Sequence, residues 1–156
     1  MTQDFVIQLD DLSDARVRDL IGMHLAAVRE FSPPESIHAL PIEALLAPGM
    51  SVWSVWLGDS LAGCGALREL DRTHGEVKSM RTAPEFLRRG VARALMDHIM
   101  AVARGRGYQR LSLETGAMAA FEPARALYRR LGFVDCAPFG EYHEDRNSVF
   151  MTREID

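Results

Sequence analysis

The chain has 156 residues, of which 47% are hydrophobic and 26% charged, and its formal net charge at pH 7 is −4. A chain of this length can bury one full hydrophobic core, so residues 1–156 are expected to form a single domain. The net negative charge argues against nucleic-acid binding, which requires a basic face, but it leaves room for a local phosphate pocket.

The cysteine content and the N-terminal residues bear on the cellular compartment of the protein. Cys64 and Cys136 are far apart in the sequence, a pattern typical of buried thiols in a reducing compartment and not of a disulfide framework. The first residues show no basic segment followed by an apolar one, as a signal peptide would. No uninterrupted apolar run approaches the ~20 residues of a membrane span. We therefore expect a cytoplasmic protein that does not enter a membrane.

The N-terminal third predicts one strand and two helices. Phe5 to Leu9 alternates weakly and predicts a strand. Ser13 is expected to cap a helix whose apolar residues recur at helical spacing, namely Val17, Leu20, Ile21, Leu25 and Val28. Ser32-Pro33-Pro34 should end this helix, and Glu35 to Ala47 predicts a shorter helix before Pro48-Gly49.

An antiparallel meander is expected next. Ser51 to Leu57 is rich in β-branched and aromatic residues, which favours a strand. Gly58-Asp59 predicts a tight hairpin turn into a second strand from Leu61 to Leu70. A third strand should run from about Gly75 to Thr82 and stop before Pro84.

The most regular apolar stripe of the chain follows the meander. Its apolar residues predict a long helix, and they are Val91, Leu95, Ile99 and Val102, widened by Ala92, Met96 and Ala103. The helix should open at Gly90 and end at Gly105 and Gly107.

The rest of the chain predicts a strand, a helix and two final strands. These are expected at Leu111 to Glu114, at Pro123 to Leu131, and at Phe133 to Phe139 and Ser148 to Ile155 around the polar loop Glu141 to Asn147. The resulting order, β-α-α-β-β-β-α-β-α-β-β, predicts an α+β fold, a mixed α/β sandwich in which a meander leads into helical crossovers.

The basic turn before the long helix predicts an anion site. A helix N-terminus presents unpaired amide N–H groups and the positive end of a dipole. Gly90 lets a phosphate approach the backbone, Ala92 leaves the helix start uncrowded, and Arg88, Arg89 and Arg93 add charged donors. We expect this turn to bind a di- or oligophosphate.

Two common phosphate motifs are absent from the sequence. A nucleoside triphosphatase loop would need Gly-Lys-Ser or Gly-Lys-Thr, which this turn lacks. A dinucleotide fingerprint would need three spaced glycines after the first strand of a parallel sheet. The nearest candidate, Gly63-Cys64-Gly65, lies inside the meander and has Arg68 where the third glycine belongs.

Two segments carry a family resemblance. Residues 75–84 followed by residues 88–96, Arg88-Arg89-Gly90-Val91-Ala92-Arg93-Ala94-Leu95-Met96, resemble the acetyl-CoA-binding motif of the GNAT superfamily of N-acetyltransferases. Residues 124–133 are similar to the A-x-x-L-Y-x-x-x-G-F helix and strand of that family. The resemblance implies a mostly antiparallel sheet that is splayed between its fourth and fifth strands and flanked by helices. It departs from the family at Leu87, where Gln or Arg is usual, and at Phe121, where Asn is usual.

The resemblance also implies the cofactor and its contacts. Acetyl-CoA would be the co-substrate, and Tyr128 would lie near its sulfur as the acid. The cofactor-binding residues would be Met80, Arg81 and Thr82 along the pantetheine arm, and Arg88, Arg89, Gly90, Val91, Ala92 and Arg93 around the pyrophosphate. The implied reaction is acetyl transfer to a primary amine on a small molecule or peptide. Alternatives are a catalytically silent acyl-CoA-binding or regulatory module and acyl transfer to a hydroxyl.

An amine with a lysine-like pKa is ~99.9% protonated at neutral pH, so the reaction needs a base. Glu76 on the third meander strand is the first candidate, acting directly or through a water, and Glu114 is the second. By alternation, Glu76 is expected to share a strand face with Lys78, Met80 and Thr82. No cysteine has an activated setting, which predicts direct transfer in a ternary complex.

The acceptor and any further partners are less well marked. The segments Phe31 to Leu40 and Glu141 to Asn147 are expected to border the acceptor pocket, and their acidic residues suggest a cationic acceptor, namely Glu35, Glu141, Glu144 and Asp145. The five histidines show no metal-ligand spacing, so no metal site is predicted. Trp53 and Trp56 should point to opposite faces of their strand, one into the core and one toward a homodimer partner.

Overall fold

The computed structural model describes residues 4–36 and 40–155. In that part of the chain, seven strands form one sheet: β1 (Val6–Leu9), β2 (Met50–Leu57), β3 (Ser60–Asp71), β4 (His74–Thr82), β5 (Arg110–Gly116), β6 (Val134–Cys136) and β7 (Ser148–Glu154). The helices are α1 (Ala15–Phe31), α2 (Ile42–Leu45), α3 (Val91–Gly105) and α4 (Glu122–Arg130). Short 3₁₀ turns lie at Pro34–Ser36, Pro84–Phe86 and Ala119–Phe121.

The sheet divides between its fourth and fifth strands. The strand order is β1-β2-β3-β4-β5-β7-β6, and each neighbouring pair is antiparallel except β4 with β5, which is parallel. That parallel register ends at Val77 and Leu113, whereas β4 continues to Thr82 and β5 to Gly116. The two strands therefore part toward their C-terminal ends, which confirms the predicted splay and the predicted fold class.

Helices cover both faces of the sheet and bury their apolar stripes against it. The stripe of α1 contributes Val17, Leu20 and Ile21 to the core, and the longer stripe of α3 contributes Val91, Leu95, Met96, Ile99, Met100 and Ala103. Burying a side chain of this kind stabilises the fold by ~1.5–3 kcal/mol. The periodicity that predicts the two helices therefore also predicts which sides of them face the sheet.

Three local predictions are wrong at the ends of elements. Asp14, not Ser13, caps α1, because its side-chain oxygen accepts a hydrogen bond from the Arg16 amide at 2.8 Å. The helix expected over residues 35–47 is reduced to a 3₁₀ turn and the four residues of α2, with residues 37–39 outside the described part of the chain. Pro41 lies at the N-cap of α2, because proline cannot donate inside a helix. In the same way, Pro138 limits the strand expected up to Phe139 to the three residues of β6.

Both tryptophans of β2 are buried. Trp53 contacts the His98 ring of α3, with centroids 5.8 Å apart, while the Arg16 guanidinium of α1 lies 4.6 Å from the ring centroid of Trp56. The predicted opposite orientations are thus confirmed. Trp53 is only 3% exposed and Trp56 only 8%, so neither presents a surface to a second copy of the chain.

No helix in residues 4–36 and 40–155 combines the length and apolar character that crossing a membrane requires.

Candidate active site

A cleft of about 510 Å³ lies where β4 and β5 part. Its volume falls within the range of ~300–1,000 Å³ that is usual for small-molecule sites. Most of its lining comes from α1, the second half of β4, β5, the start of α3 and the region from Ala120 through α4, and β3 adds Cys64. The splay predicted from the sequence is therefore an open site that side chains from distant parts of the chain share.

The turn before α3 has the backbone geometry of an anion site. Arg88 and Gly90 both have positive φ angles, 63° and 85°. The first hydrogen bond of the helix runs from Ala94 N–H to Gly90 C=O at 3.0 Å, so the amides of Val91 and Ala92 have no acceptor within the helix. A Cβ at Gly90 would meet no heavy atom within 4 Å. The turn therefore offers amide donors beside open space, which fits a diphosphate.

Side chains of this turn differ in what they can contribute. Val91 is buried and lies against Gly63, so only its backbone can reach a ligand. The Arg89 guanidinium lies 4.7 Å from the ring centroid of Phe86. Arg93 is exposed and approaches Asp97 at 4.0 Å, an ion pair that contributes little in solvent. The backbone amides, rather than these cations, are the fixed part of the candidate phosphate site.

A β-bulge in β4 changes which side chains face which side of the sheet. Ser79 has φ 56°, and the register with β3 moves from Lys78 opposite Ala66 to Arg81 opposite Cys64, so one extra β4 residue is accommodated. Met80 consequently lies on the α3 side, where its sulfur would be 2.3 Å from a Cβ at Gly65.

The prediction that Glu76, Lys78, Met80 and Thr82 share one face is therefore wrong beyond Lys78, because alternation breaks at the bulge. Glu76 and Lys78 do share a face, and their side chains form an ion pair of 3.0 Å. Nothing in the sequence around Ser79 marks a residue that adopts a left-handed conformation.

Tyr128 of α4 lies in the wall of the cleft. Burial raises the pKa of its phenol to about 12, so the group is neutral and keeps its proton at physiological pH. Its ring packs edge-on against Phe133, with centroids 5.9 Å apart. The tyrosine predicted as the acid is therefore rigidly held beside the cleft.

Phe121 also lies in the wall, near the start of α4. A Cβ at Gly116 would lie 2.2 Å from the Phe121 ring, and the ring makes an edge contact with Phe31 at 6.5 Å between centroids. Phe121 thus joins the end of β5 to the end of α1. The departure from the usual asparagine closes one side of the cleft with apolar surface.

Glu76 belongs to a buried polar cluster with two partners. Its Oε2 accepts hydrogen bonds from Lys78 Nζ at 3.0 Å and from the Tyr142 hydroxyl at 2.5 Å, and Lys78 Nζ also donates to Tyr142 at 2.8 Å. Burial, followed by the charge of Glu76, raises the pKa of Tyr142. The other oxygen, Glu76 Oε1, is buried without a hydrogen-bond partner among the described residues. Tyr142 lies 66 residues from Glu76, so sequence patterns gave no signal for the pair.

A second cavity of about 480 Å³ lies on the other side of this cluster. Lys78 lines both cavities, Glu76 lines the second, and Glu114 lines the cleft. The two carboxylates predicted as candidate bases therefore line different cavities, and Lys78 lines both.

Two further residues line the cleft, a location that the sequence did not predict for either of them. His24 of α1 has a buried Nδ1 without a partner among the described residues, and burial, then Arg81 and Lys78, lower its pKa to about 4. Cys64 is a buried free thiol, and burial raises its pKa to about 12. Because the thiolate is the nucleophilic form, this pKa argues against Cys64 as a nucleophile at neutral pH.

Potential metal ligands are dispersed. Within residues 4–36 and 40–155, no three His, Cys, Asp or Glu side chains come together in a way that could hold a metal ion.

Comparison with known proteins agrees with this geometry. The acetyltransferase (GNAT) family matches residues 17–133. The uncharacterized N-acetyltransferase YsnE of Bacillus subtilis is 56% identical over 149 residues, which cover 96% of this chain and 99% of that protein. A Klebsiella pneumoniae structure named as an acyl-CoA N-acyltransferase is 27% identical, with a TM-score of 0.78 over 97% of this chain and 98% of that one.

The fold is also that of a protein solved with its ligand. The structure of a GNAT family acetyltransferase from Elizabethkingia anophelis has acetyl-CoA bound. It is 18% identical and superposes with a TM-score of 0.72, covering 96% of this chain and 97% of that one.

Proposed function

This chain belongs to the GNAT family of acetyltransferases, whose co-substrate is acetyl-CoA, and we propose that it transfers the acetyl group directly to a primary amine on a small molecule or peptide. The observation that carries this proposal is the cleft between β4 and β5, which has amide donors at one end and Tyr128 and Glu114 in its walls. Bound acetyl-CoA supplies a thioester, whose carbonyl carbon bonds to the amine nitrogen while the sulfur departs as a thiolate.

The chain holds the co-substrate mainly through its backbone. The amides of Gly90, Val91 and Ala92 would bind the diphosphate, supported by the positive φ of Gly90 and by the unpaired start of α3. The backbone of β4 from Met80 to Thr82 would pair with the pantetheine arm, because β4 has left β5 there and its edge lines the cleft.

Glu114 is the better placed base. It lines the cleft together with Tyr128, whereas the Glu76 carboxylate lines the second cavity and its Oε2 is engaged by Lys78 and Tyr142. A base must come within hydrogen-bond reach of the proton that it removes, directly or through one water. We therefore assign the removal of the ammonium proton to Glu114, which reverses the order of preference that the sequence suggested.

Tyr128 acts on the leaving group. Its pKa of about 12 lies well above the ~8.5 of a thiol, so at equilibrium the proton stays on the phenol. The hydroxyl accordingly stabilises the developing thiolate as a hydrogen-bond donor, and solvent supplies the proton that finally neutralises the sulfur. Cys64 offers no acyl-enzyme route, since burial raises its thiol pKa to about 12. The protonated state of this thiol supports direct transfer in a ternary complex.

A two-part assay tests this function. Acetyl-CoA should raise the Tm of the purified protein, and a panel of primary amines should cause release of the coenzyme A thiol at neutral pH. Binding without thiol release for any amine would favour the silent acyl-CoA-binding module, and release with alcohols alone would indicate acyl transfer to a hydroxyl. Failure of acetyl-CoA to change Tm would contradict the proposal at its first step.

A further inference from the structure

The second cavity has a net negative lining. Four carboxylates border it, from Glu69, Asp71, Glu76 and Glu141, against two permanent cations, Arg68 and Lys78. His74 also lines the cavity. Burial lowers the pKa of its imidazole, which is therefore neutral at pH 7 and adds no positive charge. A cavity of about 480 Å³ with this charge suits a small cationic group.

One wall of this cavity includes a hydrogen-bond acceptor that has no donor among the described residues. Glu76 is 1% exposed, and its Oε1 has no hydrogen-bond partner among the described residues. A buried oxygen that has lost water and gained no donor costs free energy, and such groups in native proteins need an explanation. Lys78 and Tyr142 do not provide one, because both donate to the other oxygen, Oε2. A ligand that brings N–H donors to Oε1 would satisfy it.

The position of Lys78 relates this cavity to the cleft. Its side chain lines both spaces, and its ammonium is held by Glu76 at 3.0 Å and Tyr142 at 2.8 Å. Lys78 is therefore the side chain that an acceptor would pass if its reacting nitrogen lay near Glu114 in the cleft and its other end lay near Glu76. The part that arrives there meets carboxylates and an unpaired oxygen.

We propose that the second cavity binds a second cationic group of the acceptor, donating to Glu76 Oε1, so that the preferred substrate is a small amine with two positive charges. This inference rests on the proposed acetyl transfer to an amine. A charge-assisted hydrogen bond forms between the distal ammonium and Oε1, and Glu69, Asp71 and Glu141 add attraction around it. The site selects for charge at the end of the acceptor that does not react.

Matched amines test the charge preference. Cadaverine, pentylamine and the amino alcohol of the same chain length all carry an amine at one end of a five-carbon chain and differ at the other end, where cadaverine has a second, equivalent amine that contributes only a statistical factor of about two to its rate. Wild-type protein should acetylate cadaverine with a kcat/KM about tenfold or more above that of the other two, as expected for a hydrogen bond between charged groups. Equal values for the three would overturn the proposal while leaving acetyl transfer intact.

Two variants localise the preference. Glu76→Gln removes the charge beside Oε1, and Glu141→Gln removes an exposed carboxylate of the lining whose replacement does not disturb the core. Both should reduce the ratio of cadaverine to amino alcohol severalfold, whereas Glu122→Gln, an exposed residue of α4 outside the cavity, should preserve it. A ratio that neither cavity variant changes would contradict the assignment, and Glu141→Gln keeps the test valid if Glu76→Gln fails to fold.

A binding measurement separates this inference from the proposed function. Calorimetric titration of cadaverine and of the amino alcohol into protein saturated with coenzyme A does not depend on turnover. Tighter binding of cadaverine that Glu141→Gln weakens severalfold would support the cation site even if no amine were acetylated, in which case the proposed function alone would fail. Equal binding of the two ligands would overturn the cation site.

Discussion

Replacing Gly90 by alanine tests the anion site at the start of α3, and Gly107 at the other end of the same helix supplies a matched control. The two glycines have φ angles of 85° and 86°, and a Cβ at either would meet no heavy atom within 4 Å. Each alanine therefore introduces the same backbone strain without a clash. Both should lower the free energy of unfolding by ~1–2 kcal/mol, which corresponds to a decrease in Tm of about 2–8 °C for a chain of this size.

Only Gly90→Ala should also weaken acetyl-CoA binding, because its methyl group enters the space that we assign to the diphosphate. Loss of one hydrogen bond from an amide to a charged oxygen costs ~1.5–3 kcal/mol, or a decrease in affinity of about 10- to 150-fold. Calorimetric titration of acetyl-CoA into both variants measures the difference. Wild-type affinity in Gly90→Ala would refute the placement of the diphosphate, and an equal decrease in Gly107→Ala would attribute the effect to general destabilisation.

Three further substitutions examine the walls of the cleft. Tyr128→Phe should lower kcat about tenfold with little change in acetyl-CoA affinity, and an unaltered kcat at every pH would exclude the phenol from the reaction. Glu114→Gln should reduce kcat/KM by ~10²–10⁴-fold; a larger loss in Glu76→Gln would return the base to the position that the sequence favoured. Gly116→Ala should lower the free energy of unfolding by ~1–3 kcal/mol, because its Cβ would lie 2.2 Å from the Phe121 ring. Denaturation of the double variant with Phe121→Leu should show partial recovery, and no recovery would mean that another contact is responsible.

The elements that the sequence predicts well are those whose signal is local and repeated. The apolar stripe of α3 predicts the buried face of the helix, because its apolar residues recur at helical spacing over several turns. The glycines at its two ends, Gly90 and Gly105, predict where it begins and ends. The alternation and turns of β2 and β3 predict the meander in the same way. The splay between β4 and β5 followed from the family resemblance, because no local pattern records where a parallel pair stops.

The features that the sequence did not predict depend on contacts between residues far apart in the chain or on the backbone conformation of one residue. The link from Tyr142 to Glu76 spans 66 residues, and only the folded chain brings the β6–β7 loop to β4. His24 Nδ1 lacks a partner among the described residues because of what surrounds it in the fold, which the sequence of its own helix does not indicate. Ser79 adopts φ 56° at the bulge, where β4 has one residue more than β3, although serine has no general preference for that conformation.

The bulge at Ser79 makes the second half of β4 sensitive to length. Because side chains alternate between faces, every residue after the bulge is oriented by the one additional position before it. If β4 were a regular strand of its present length, Met80 would lie opposite Cys64 and turn away from α3, and Arg81 would lie opposite Gly63, on the face that contacts Val91 of α3. A cation would then lie beneath the helix, and the edge offered to an incoming ligand would be reversed. Deleting Ser79 would instead remove the bulge and keep Met80 and Arg81 on their present faces, so a gap of one residue here in the aligned β4 sequences of relatives is consistent with an unchanged inner wall.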